Sequence, residues 1–418
     1  MDPHELRALE HVDDDLVRRW LRELVAIPSV DGSPAEISVQ TWCAERMREL
    51  SLDVDHWRID LAALRELDDF PGMEVERAEA WGCVGTWRSG AGAPAVVFNG
   101  HVDVVPPGDL DGWPDRDPFT VREADDAYWG RGTADMKGGV AAVLGAVAAL
   151  RSAGVRLRRP LAVHTVIGEE DGGLGGFATL RRGHTGEACV IAEPTASEVV
   201  PANAGSLTFR LTVPGSATHG STRRRGVSAV EKFEVVHAAL RRLEAERNAE
   251  RDPLFAHLDL VAPLSVGMVR AGDWASTVPD RLVAEGRYGV LPGESLVAAR
   301  TTFETAVTRA CDDDAWLSEH PVRVEWPGGA FASGRLPEGH PLLDQVRSAV
   351  ADVTGTAPAV RGGPYGSDLR QYAAAGIPTL QYGPGQARHA HALDEHVRLA
   401  DVAHCTRVYT LLALRLCA

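Results

Sequence analysis

The chain has 418 residues, of which 44% are hydrophobic and 24% are charged. This is an ordinary globular composition, and the length predicts two domains or one large domain with an insertion. The formal net charge of −16 argues against a nucleic-acid partner and against binding to an anionic membrane surface.

The cysteines and the first residues place the chain among proteins of a reducing compartment. The six cysteines are scattered and form no C-x-x-C pair, so the sequence predicts neither a disulfide framework nor a cysteine zinc site. The opening residues, MDPHELRALEHVDDDLVRRW, are polar and lack an apolar signal-peptide core. No run of about 18 apolar residues interrupts the chain. We therefore expect a cytoplasmic protein.

The flanking parts of the chain alternate helices and strands. The spacing of apolar residues predicts helices over 15–25, 36–50 and 136–154. Short apolar runs predict strands within 93–105, 159–168, 187–195 and 377–385. This alternation indicates an α/β domain whose central sheet is mainly parallel, buried and flanked by helices.

The middle of the chain follows a different order. Residues 206–215 alternate between apolar and polar, and an amphipathic helix follows at about 227–247. Two further strands (LDLVAPLSVGMVRAG and RLVAEGRYGV), a helix near 296–311 and a strand in PVRVEWPG complete the segment. The order is the split βαβ pattern of a ferredoxin-like domain. We predict a main domain of residues 1–202 and 328–418 and an inserted α+β domain of residues 203–327.

Histidines and carboxylates gather just after the predicted strands of the main domain. In an open α/β sheet, the carboxyl ends of the strands form the ligand crevice, so these side chains are expected to meet there. Imidazole and carboxylate groups are good ligands for zinc and similar ions, and one carboxylate can bridge two metals. The sequence therefore predicts a dinuclear metal site built from His101, Asp103, Asp135, Glu169, Glu170, Glu193 and His391.

Two adjacent glutamates, Glu169 and Glu170, end an apolar strand in LAVHTVIGEEDGGLGG. Like charges in this position repel, unless they lie in water or beside a cation. A dinuclear site explains the pair, since one glutamate can bind a metal while its neighbour takes a proton from water. Asp103, two residues after His101, is typical of a carboxylate that fixes the orientation of a metal-binding histidine.

Six segments carry a resemblance to a known family. They are GHVDVVPPGDLDGWPDRDPF, WGRGTADMKGG, GEEDGGLGG, AEPT, YGSDLRQYAAAGIPTLQYGPG and AHALDEHV. In order and spacing, the chain resembles the metal-dependent amidohydrolase and exopeptidase family of acetylornithine deacetylase, succinyl-diaminopimelate desuccinylase, aminoacylase and glutamate carboxypeptidase. The resemblance covers nearly the whole chain and implies an α/β catalytic domain carrying an inserted ferredoxin-like lid and dimerisation domain.

The resemblance implies a role for each residue of the site. Two divalent metals, zinc or cobalt, are expected, one held by His101 and Glu193 and one by Glu170 and His391, with Asp135 bridging. Asp103 would orient His101. Glu169 would be the general base that activates a water between the metals and then the acid that protonates the leaving amine. The family also has a cis peptide after the bridging aspartate, here Asp135–Met136. His389 competes with His391 for the ligand position, but AHALDE fits the family at His391.

The inserted domain is expected to form a homodimer and to supply His219, which would stabilise the oxyanion in the partner's site.

Two positions depart from the family pattern. Ser276 stands where an asparagine is usual, and Gly289 stands where an arginine that grips the substrate carboxylate is usual. Arg287 lies two residues earlier on the same face of the strand and is a candidate replacement. The family pattern also implies substrate contacts for Gly366 and Ser367.

The sequence therefore predicts a metal-dependent hydrolase of amide bonds in a small molecule, with deacylation of an N-acyl amino acid as the first hypothesis. A dipeptidase or carboxypeptidase is the alternative, as is an amidohydrolase for an N-acyl substrate that lacks the usual α-carboxylate. A binding protein derived from this family would be expected to have lost Glu169 or a metal ligand, and the chain keeps them all.

Overall fold

A computed structural model describes residues 1–250 and 252–418 of the chain. The helices are α1 (Pro3–Glu10), α2 (Asp14–Val25), α3 (Ala35–Glu49), α4 (Leu61–Arg65), α5 (Gly138–Ser152), α6 (Leu174–Arg181), α7 (Ala229–Arg247), α8 (Leu296–Asp312), α9 (Leu342–Thr354), α10 (Leu369–Ala374) and α11 (Leu399–Cys417). The strands are β1 (Asp53–Arg58), β2 (Trp81–Trp87), β3 (Val96–His101), β4 (Arg122–Ala124), β5 (Ala127–Trp129), β6 (Leu161–Val166), β7 (Cys189–Ile191), β8 (Val199–Asn203), β9 (Gly205–Pro214), β10 (Leu264–Ala271), β11 (Arg281–Val290), β12 (Arg323–Glu325), β13 (Ala330–Phe331), β14 (Gly334–Arg335), β15 (Val360–Gly363), β16 (Thr379–Gln381) and β17 (His396–Arg398).

The chain forms two compact units. The first unit comprises Met1–Ala202, Arg335–Arg361 and Ser367–Ala418. The second unit comprises Asn203–Gly334 and Gly362–Gly366. Each unit has its own hydrophobic core.

The first unit contains a nine-stranded sheet in the order β1-β2-β6-β3-β7-β16-β8-β14, with β15 also paired to β8. The four central strands β6, β3, β7 and β16 run parallel, whereas β1, β2 and β8 pair antiparallel at the flanks. The predicted sheet is confirmed. Parallel strands end at one edge, so the residues that follow β3, β6 and β7 come together there.

Helix α5 forms the apolar centre of the first unit. It is buried along nearly its whole length, and Gly139 lies so close to the chain after β7 that a Cβ would stand 2.1 Å from the carbonyl oxygen of Ala192. The segment Thr133–Ser152 is long and apolar enough to cross a membrane, but 89% of its apolar window is buried inside the protein, as in a core helix. The expectation of a cytoplasmic protein stays a prediction.

The helix predicted over residues 136–154 begins two residues later than expected, at Gly138. Asp135 and Met136 have non-helical backbone angles, and the peptide bond between them is cis, as the family resemblance implied. The periodic pattern of apolar residues continues through this turn, so periodicity alone could not locate the start of the helix.

The second unit has the predicted ferredoxin-like topology. Its strands and helices follow the order β9, α7, β10, β11, α8, β12, and the sheet order is β10-β11-β9-β12, with β13 also paired to β9. Strand β9 alternates between buried and half-buried residues along its length, which agrees with the predicted period of two. Strand β10 forms one edge of this sheet, and most of its residues are exposed.

Candidate metal centre

His101, the last residue of β3, is buried at the carboxyl edge of the sheet. Its Nδ1 lies 3.1 Å from the backbone carbonyl oxygen of Asp103, which accepts a hydrogen bond from it and leaves Nε2 for a ligand. Nε2 lies 3.0 Å from Oδ1 of Asp135 and 4.0 Å from Oε2 of Glu193. The three predicted ligands of the first metal therefore lie together.

Asp103 acts differently from the expectation. Its carboxylate was expected to orient His101, but Oδ1 lies 3.7 Å from the histidine Nδ1, beyond hydrogen-bonding distance, and the backbone carbonyl makes the bond instead. Oδ2 of Asp103 accepts a hydrogen bond from the backbone amide of Glu170 at 3.2 Å. Asp103 thus contacts the His101 ring through its main chain and the backbone amide of Glu170 through its side chain.

Asp135 presents one oxygen to each half of the site. Oδ1 faces His101, whereas Oδ2 lies 3.6 Å from Nε2 of His391. This division of two oxygens between two histidines is the arrangement that a bridging carboxylate requires.

Glu170 and His391 form the other half. Both oxygens of Glu170 lie 3.0 Å from Nε2 of His391, and the histidine side chain is 53% exposed. His389, the alternative ligand, instead lies with its ring 4.1 Å from that of His396 and accepts a hydrogen bond from Arg388. The geometry favours His391 over His389.

The two adjacent glutamates differ in their partners. Glu169 is buried, and its Oε1 has no hydrogen-bond partner. A carboxylate oxygen of Glu169 and ligand atoms of His101 and Glu193 all lie within 4.8 Å of one another. Glu169 therefore lies beside the first half of the site, whereas Glu170 is engaged with His391.

The electrostatics of the site reflect crowded, buried carboxylates. Burial raises the pKa of Glu169 well above its ordinary range, and burial also raises that of Glu193 to about 8. The hydrogen bond with Glu170 raises the pKa of His391 to about 9. Burial opposes protonation of His101, but the Asp103, Asp135 and Glu193 carboxylates outweigh it and raise the pKa of the ring.

This donor set fits divalent metal ions. His101 and His391 carry at most two positive charges between them, against the carboxylates of Asp103, Asp135, Glu169, Glu170 and Glu193. Buried carboxylates without cations are costly, and Oε1 of Glu169 and Oδ1 of Asp103 also lack hydrogen-bond partners. Divalent cations would offset this charge, and imidazole and carboxylate groups are common ligands of such ions.

The sequence did not predict the hydrogen-bonding residues that support Asp135. Oε1 of Glu395 accepts hydrogen bonds from the backbone amides of Ala134 and Asp135, both at 3.0 Å. Oε2 of Glu395 pairs with Nη1 of Arg131 at 2.6 Å, and Nη2 of Arg131 donates to the backbone carbonyl of His391. Glu395 lies in the segment AHALDEHV and Arg131 lies in WGRGTAD. No local pattern in the sequence indicates that these two segments meet.

The GSDLR segment supports the glutamate turn. Ser367, a predicted substrate contact, is 1% exposed, and its hydroxyl accepts a hydrogen bond from Gln381 at 2.7 Å. Arg370 donates to the backbone carbonyl of Gly172, just after the glutamate pair. Asp368 is fully buried with neither oxygen hydrogen-bonded, and a Cβ on Gly176 would lie 2.2 Å from it. This segment packs against the turn that carries Glu169 and Glu170.

His219 lies in the second unit, exposed, just before a short 3-10 turn. Its Nδ1 accepts a hydrogen bond from the backbone amide of Ser221 at 3.2 Å, which places the ring proton on Nε2. The backbone amide of Gly220 donates to the carbonyl of Ser276, so the position that departs from the family lies beside the histidine. A free Nε2–H group is the donor that an oxyanion requires.

Gly289 is the other position that departs from the family pattern, and close packing explains the glycine there. A Cβ on Gly289 would lie 2.6 Å from the Cα of Ala262 and 2.9 Å from the nitrogen of Pro263, so this position of β11 has no space for a side chain. Arg287, the candidate replacement, donates from Nη2 to the carbonyl oxygen of Pro364 at 3.1 Å. Gly366, also predicted to contact substrate, is packed against Phe331, whose Cβ would lie 2.5 Å from an added Cβ.

The chain is similar to known proteins over almost its full length. Residues 97–415 match the family model described as Peptidase family M20/M25/M40. The chain is 27% identical to N-formyl-4-amino-5-aminomethyl-2-methylpyrimidine deformylase of Bacillus subtilis, over 88% of this chain and 87% of that protein. It is 31% identical to succinyl-diaminopimelate desuccinylase of Alkalilimnicola ehrlichii, over 92% and 95% of the two chains.

Solved structures show the same fold. The dipeptidase Dug1p from Saccharomyces cerevisiae superposes with a TM-score of 0.78 at 14% identity, covering 98% of both chains. The matched family model covers most of the chain, including the candidate metal site. The protein therefore belongs to peptidase family M20/M25/M40 and is a metallo-amidohydrolase.

Proposed function

We propose that the protein removes a short acyl group from a small N-acylated substrate by hydrolysis, with Glu169 as general base and then general acid. The observation that carries this proposal is the difference between the two neighbouring glutamates. Glu170 is engaged by His391, whereas Glu169 has a buried oxygen without a hydrogen-bond partner, and its carboxylate lies beside His101 and Glu193. A proton acceptor must have such a free oxygen within reach of the attacking water.

The proposed ligands of two zinc or cobalt ions are His101, Glu193, Asp135, Glu170 and His391, with Asp135 between the two. When bound, such ions polarise the scissile carbonyl and lower the pKa of a water molecule. Glu169 takes the proton from the attacking water, and its carboxyl then gives that proton to the leaving amine nitrogen.

His219 is proposed as the donor to the oxyanion of the tetrahedral intermediate. Its Nδ1 is occupied by the amide of Ser221, so Nε2 presents a hydrogen. Such a donor acts where negative charge develops, and it contributes little to binding of the uncharged carbonyl.

Two classes of substrate are proposed. N-acyl amino acids are the first candidate, since the desuccinylase relatives are named for one such substrate. The packing of Gly289 favours a second candidate, an N-acylated amine without an α-carboxylate. No arginine fits at that position, and Arg287 already donates to Pro364. The name of the Bacillus subtilis relative describes a formylated aminomethylpyrimidine, which is such an amine.

A homodimer formed through the second unit is also proposed. Strand β10 is an edge strand whose outer residues, among them Met268 and Val269, are about half exposed. An exposed edge carrying apolar side chains can pair with the same strand of a second copy. Sedimentation velocity of the wild type and of a Val269→Lys variant tests this, and a monomeric wild type would exclude it.

The experiment for the hydrolytic function uses a substrate panel. Zinc-loaded and cobalt-loaded protein is incubated with N-formyl, N-acetyl and N-succinyl amino acids, dipeptides, and N-acyl amines without a carboxylate, and products are read by mass spectrometry. Glu169→Gln serves as the blank. Release of the acyl group from any of the N-acyl amino acids or N-acyl amines by the wild type supports the proposal. Cleavage of dipeptides alone would replace it with a dipeptidase.

A further inference from the structure

Arg77 is a fully buried guanidinium that binds three carboxylates. Its side chain is 0% exposed, and Nη1 pairs with Oδ2 of Asp171 at 2.6 Å. Nε and Nη2 bind the two oxygens of Glu36, both at 2.8 Å, and Nη2 also reaches Oδ1 of Asp31 at 2.9 Å. Arginine can bind a carboxylate through two nitrogens in this way, whereas lysine cannot.

One of these carboxylates belongs to the glutamate turn. Asp171 follows Glu169 and Glu170 directly. Besides the bond to Arg77, its Oδ2 accepts a hydrogen bond from the amide of Val75 at 3.0 Å, and its carbonyl accepts one from the amide of Glu74 at 3.0 Å. The segment 74–77 therefore holds the turn at three points, one of them a buried ion pair.

Asp31, another carboxylate that Arg77 binds, lies in a segment that is hydrogen-bonded to the chain just after Asp103. The amide of Asp31 donates to the carbonyl of Val104 at 3.1 Å, and the amide of Val104 donates to the carbonyl of Ser29 at 2.9 Å. The segment 29–31 thus lies along the chain that follows His101. A single guanidinium therefore connects the turn that carries Glu169 and Glu170 with a segment that lies along the chain after His101.

We propose that Arg77 is a positioning residue, which fixes the glutamate turn relative to the His101–Asp103 segment through Asp171 and Asp31. This inference rests on the proposed roles of Glu169 and Glu170. Arg77 contacts none of the predicted metal ligands, so it acts through the carboxylates that it binds. A displacement of the turn by even a fraction of an ångström changes the fit of a metal site and the reach of a base.

The test compares Arg77→Met and Arg77→Lys with a second bidentate ion pair in the same unit, which is partly exposed and lies away from the site. Arg407 binds both oxygens of Asp14 at 2.9 Å but connects α11 to α2 rather than to the site. For each variant and for Arg407→Met, zinc affinity is measured by competition with a chelator. Melting temperature, kcat and KM are measured on the zinc-saturated protein.

We expect Arg77→Met to weaken zinc binding by about 10–100-fold, the range seen when groups behind a metal ligand are removed. It should also lower kcat at saturating zinc while KM changes little. Arg77→Lys should recover part of both losses. Arg407→Met should lower the melting temperature and leave zinc affinity and kcat unchanged. Equal zinc affinity and kcat in Arg77→Met and wild type would overturn the proposal.

A second variant guards against failure to fold. Asp171→Asn removes only the ion pair with the turn and should reproduce the loss of zinc affinity to a smaller degree. Unchanged zinc affinity and kcat in a folded Asp171→Asn protein would likewise overturn the proposal. If the wild type cleaves no amide in the panel, the proposed function fails, whereas the zinc affinities still decide the role of Arg77.

Discussion

Glu395 holds Asp135 through the main chain, since its Oε1 accepts the backbone N–H of Asp135 at 3.0 Å while Oε2 pairs with Arg131 at 2.6 Å. Asp135 in turn points one oxygen at His101 and the other at His391. The direction of the predicted bridging carboxylate therefore depends on a buried glutamate that is not itself in the ligand set.

The first prediction concerns Glu395→Gln. An amide nitrogen would then face a donor, either Nη1 of Arg131 or the backbone amides of Ala134 and Asp135, and one buried pairing would be lost. We expect zinc affinity to fall by about 10–100-fold with the fold retained. Titration of the metal-free variant against a fluorescent chelator measures this. Wild-type affinity would show that Glu395 has no part in orienting Asp135.

The second prediction concerns pH and metal removal. In the metal-free protein the pKa of His391 is about 9 and that of Glu193 about 8, against ordinary values of 6.5 and 4.5. The folded state therefore holds protons that the unfolded chain releases, so raising the pH from about 6.5 to about 8.5 destabilises the metal-free fold. Metal ions bind the deprotonated forms, so their affinity rises over the same range.

The measurement is the melting temperature with and without zinc at several pH values. The increase caused by zinc should be larger at about pH 8.5 than at about pH 6.5. An increase that is equal at both values, or that shrinks as the pH rises, would contradict the raised pKa values of these two groups.

The third prediction concerns His219→Ala. Loss of one donor to an oxyanion typically lowers kcat by about 10²–10³-fold, and KM should change little because the donor acts on the transition state. His320, which stacks on Trp316 in the same unit, provides a control substitution to alanine. Steady-state kinetics on the best substrate of the panel measures both variants. A comparable kcat for the two variants would remove His219 from the mechanism.

The fourth prediction concerns position 289, where the chain lacks the arginine that would bind a substrate carboxylate. Gly289→Ala would force a Cβ against Ala262 and should destabilise the protein by about 1–3 kcal/mol, as overpacking does. Arg287→Met should leave KM for an N-acyl amino acid unchanged, because its guanidinium is engaged by the Pro364 carbonyl. Thermal denaturation and kinetics check the two variants. A KM that rises strongly in Arg287→Met would assign the carboxylate grip to Arg287.

Much of the fold was accessible from sequence because its signals are local. Strand β9 alternates with period two, helix α5 has a continuous apolar run, and the ligands follow strand ends whose parallel pairing sets a common edge. The resemblance to a family then assigned roles to individual residues, such as Asp135, that periodicity could not distinguish from surface carboxylates.

The residues that sequence reasoning missed are those joined across long stretches of chain. Arg77 meets Asp171 94 positions away, and Arg131 meets Glu395 264 positions away. No local pattern marks either partner. Steric facts such as the contact of Gly289 with Ala262 are equally invisible, since they depend on how closely two segments pack in three dimensions.

The central proposal is that Glu169 transfers protons while Glu170 binds metal. One paired measurement tests it most directly. Glu169→Gln and Glu170→Gln are compared for zinc content by mass spectrometry and for turnover at saturating zinc. Glu169→Gln should retain the wild-type zinc content and lose turnover by about 10²–10⁴-fold or more, since it removes base and acid together. Glu170→Gln should lose zinc, because its carboxylate faces His391. Near-normal turnover in Glu169→Gln, or loss of zinc in Glu169→Gln alone, would contradict the account.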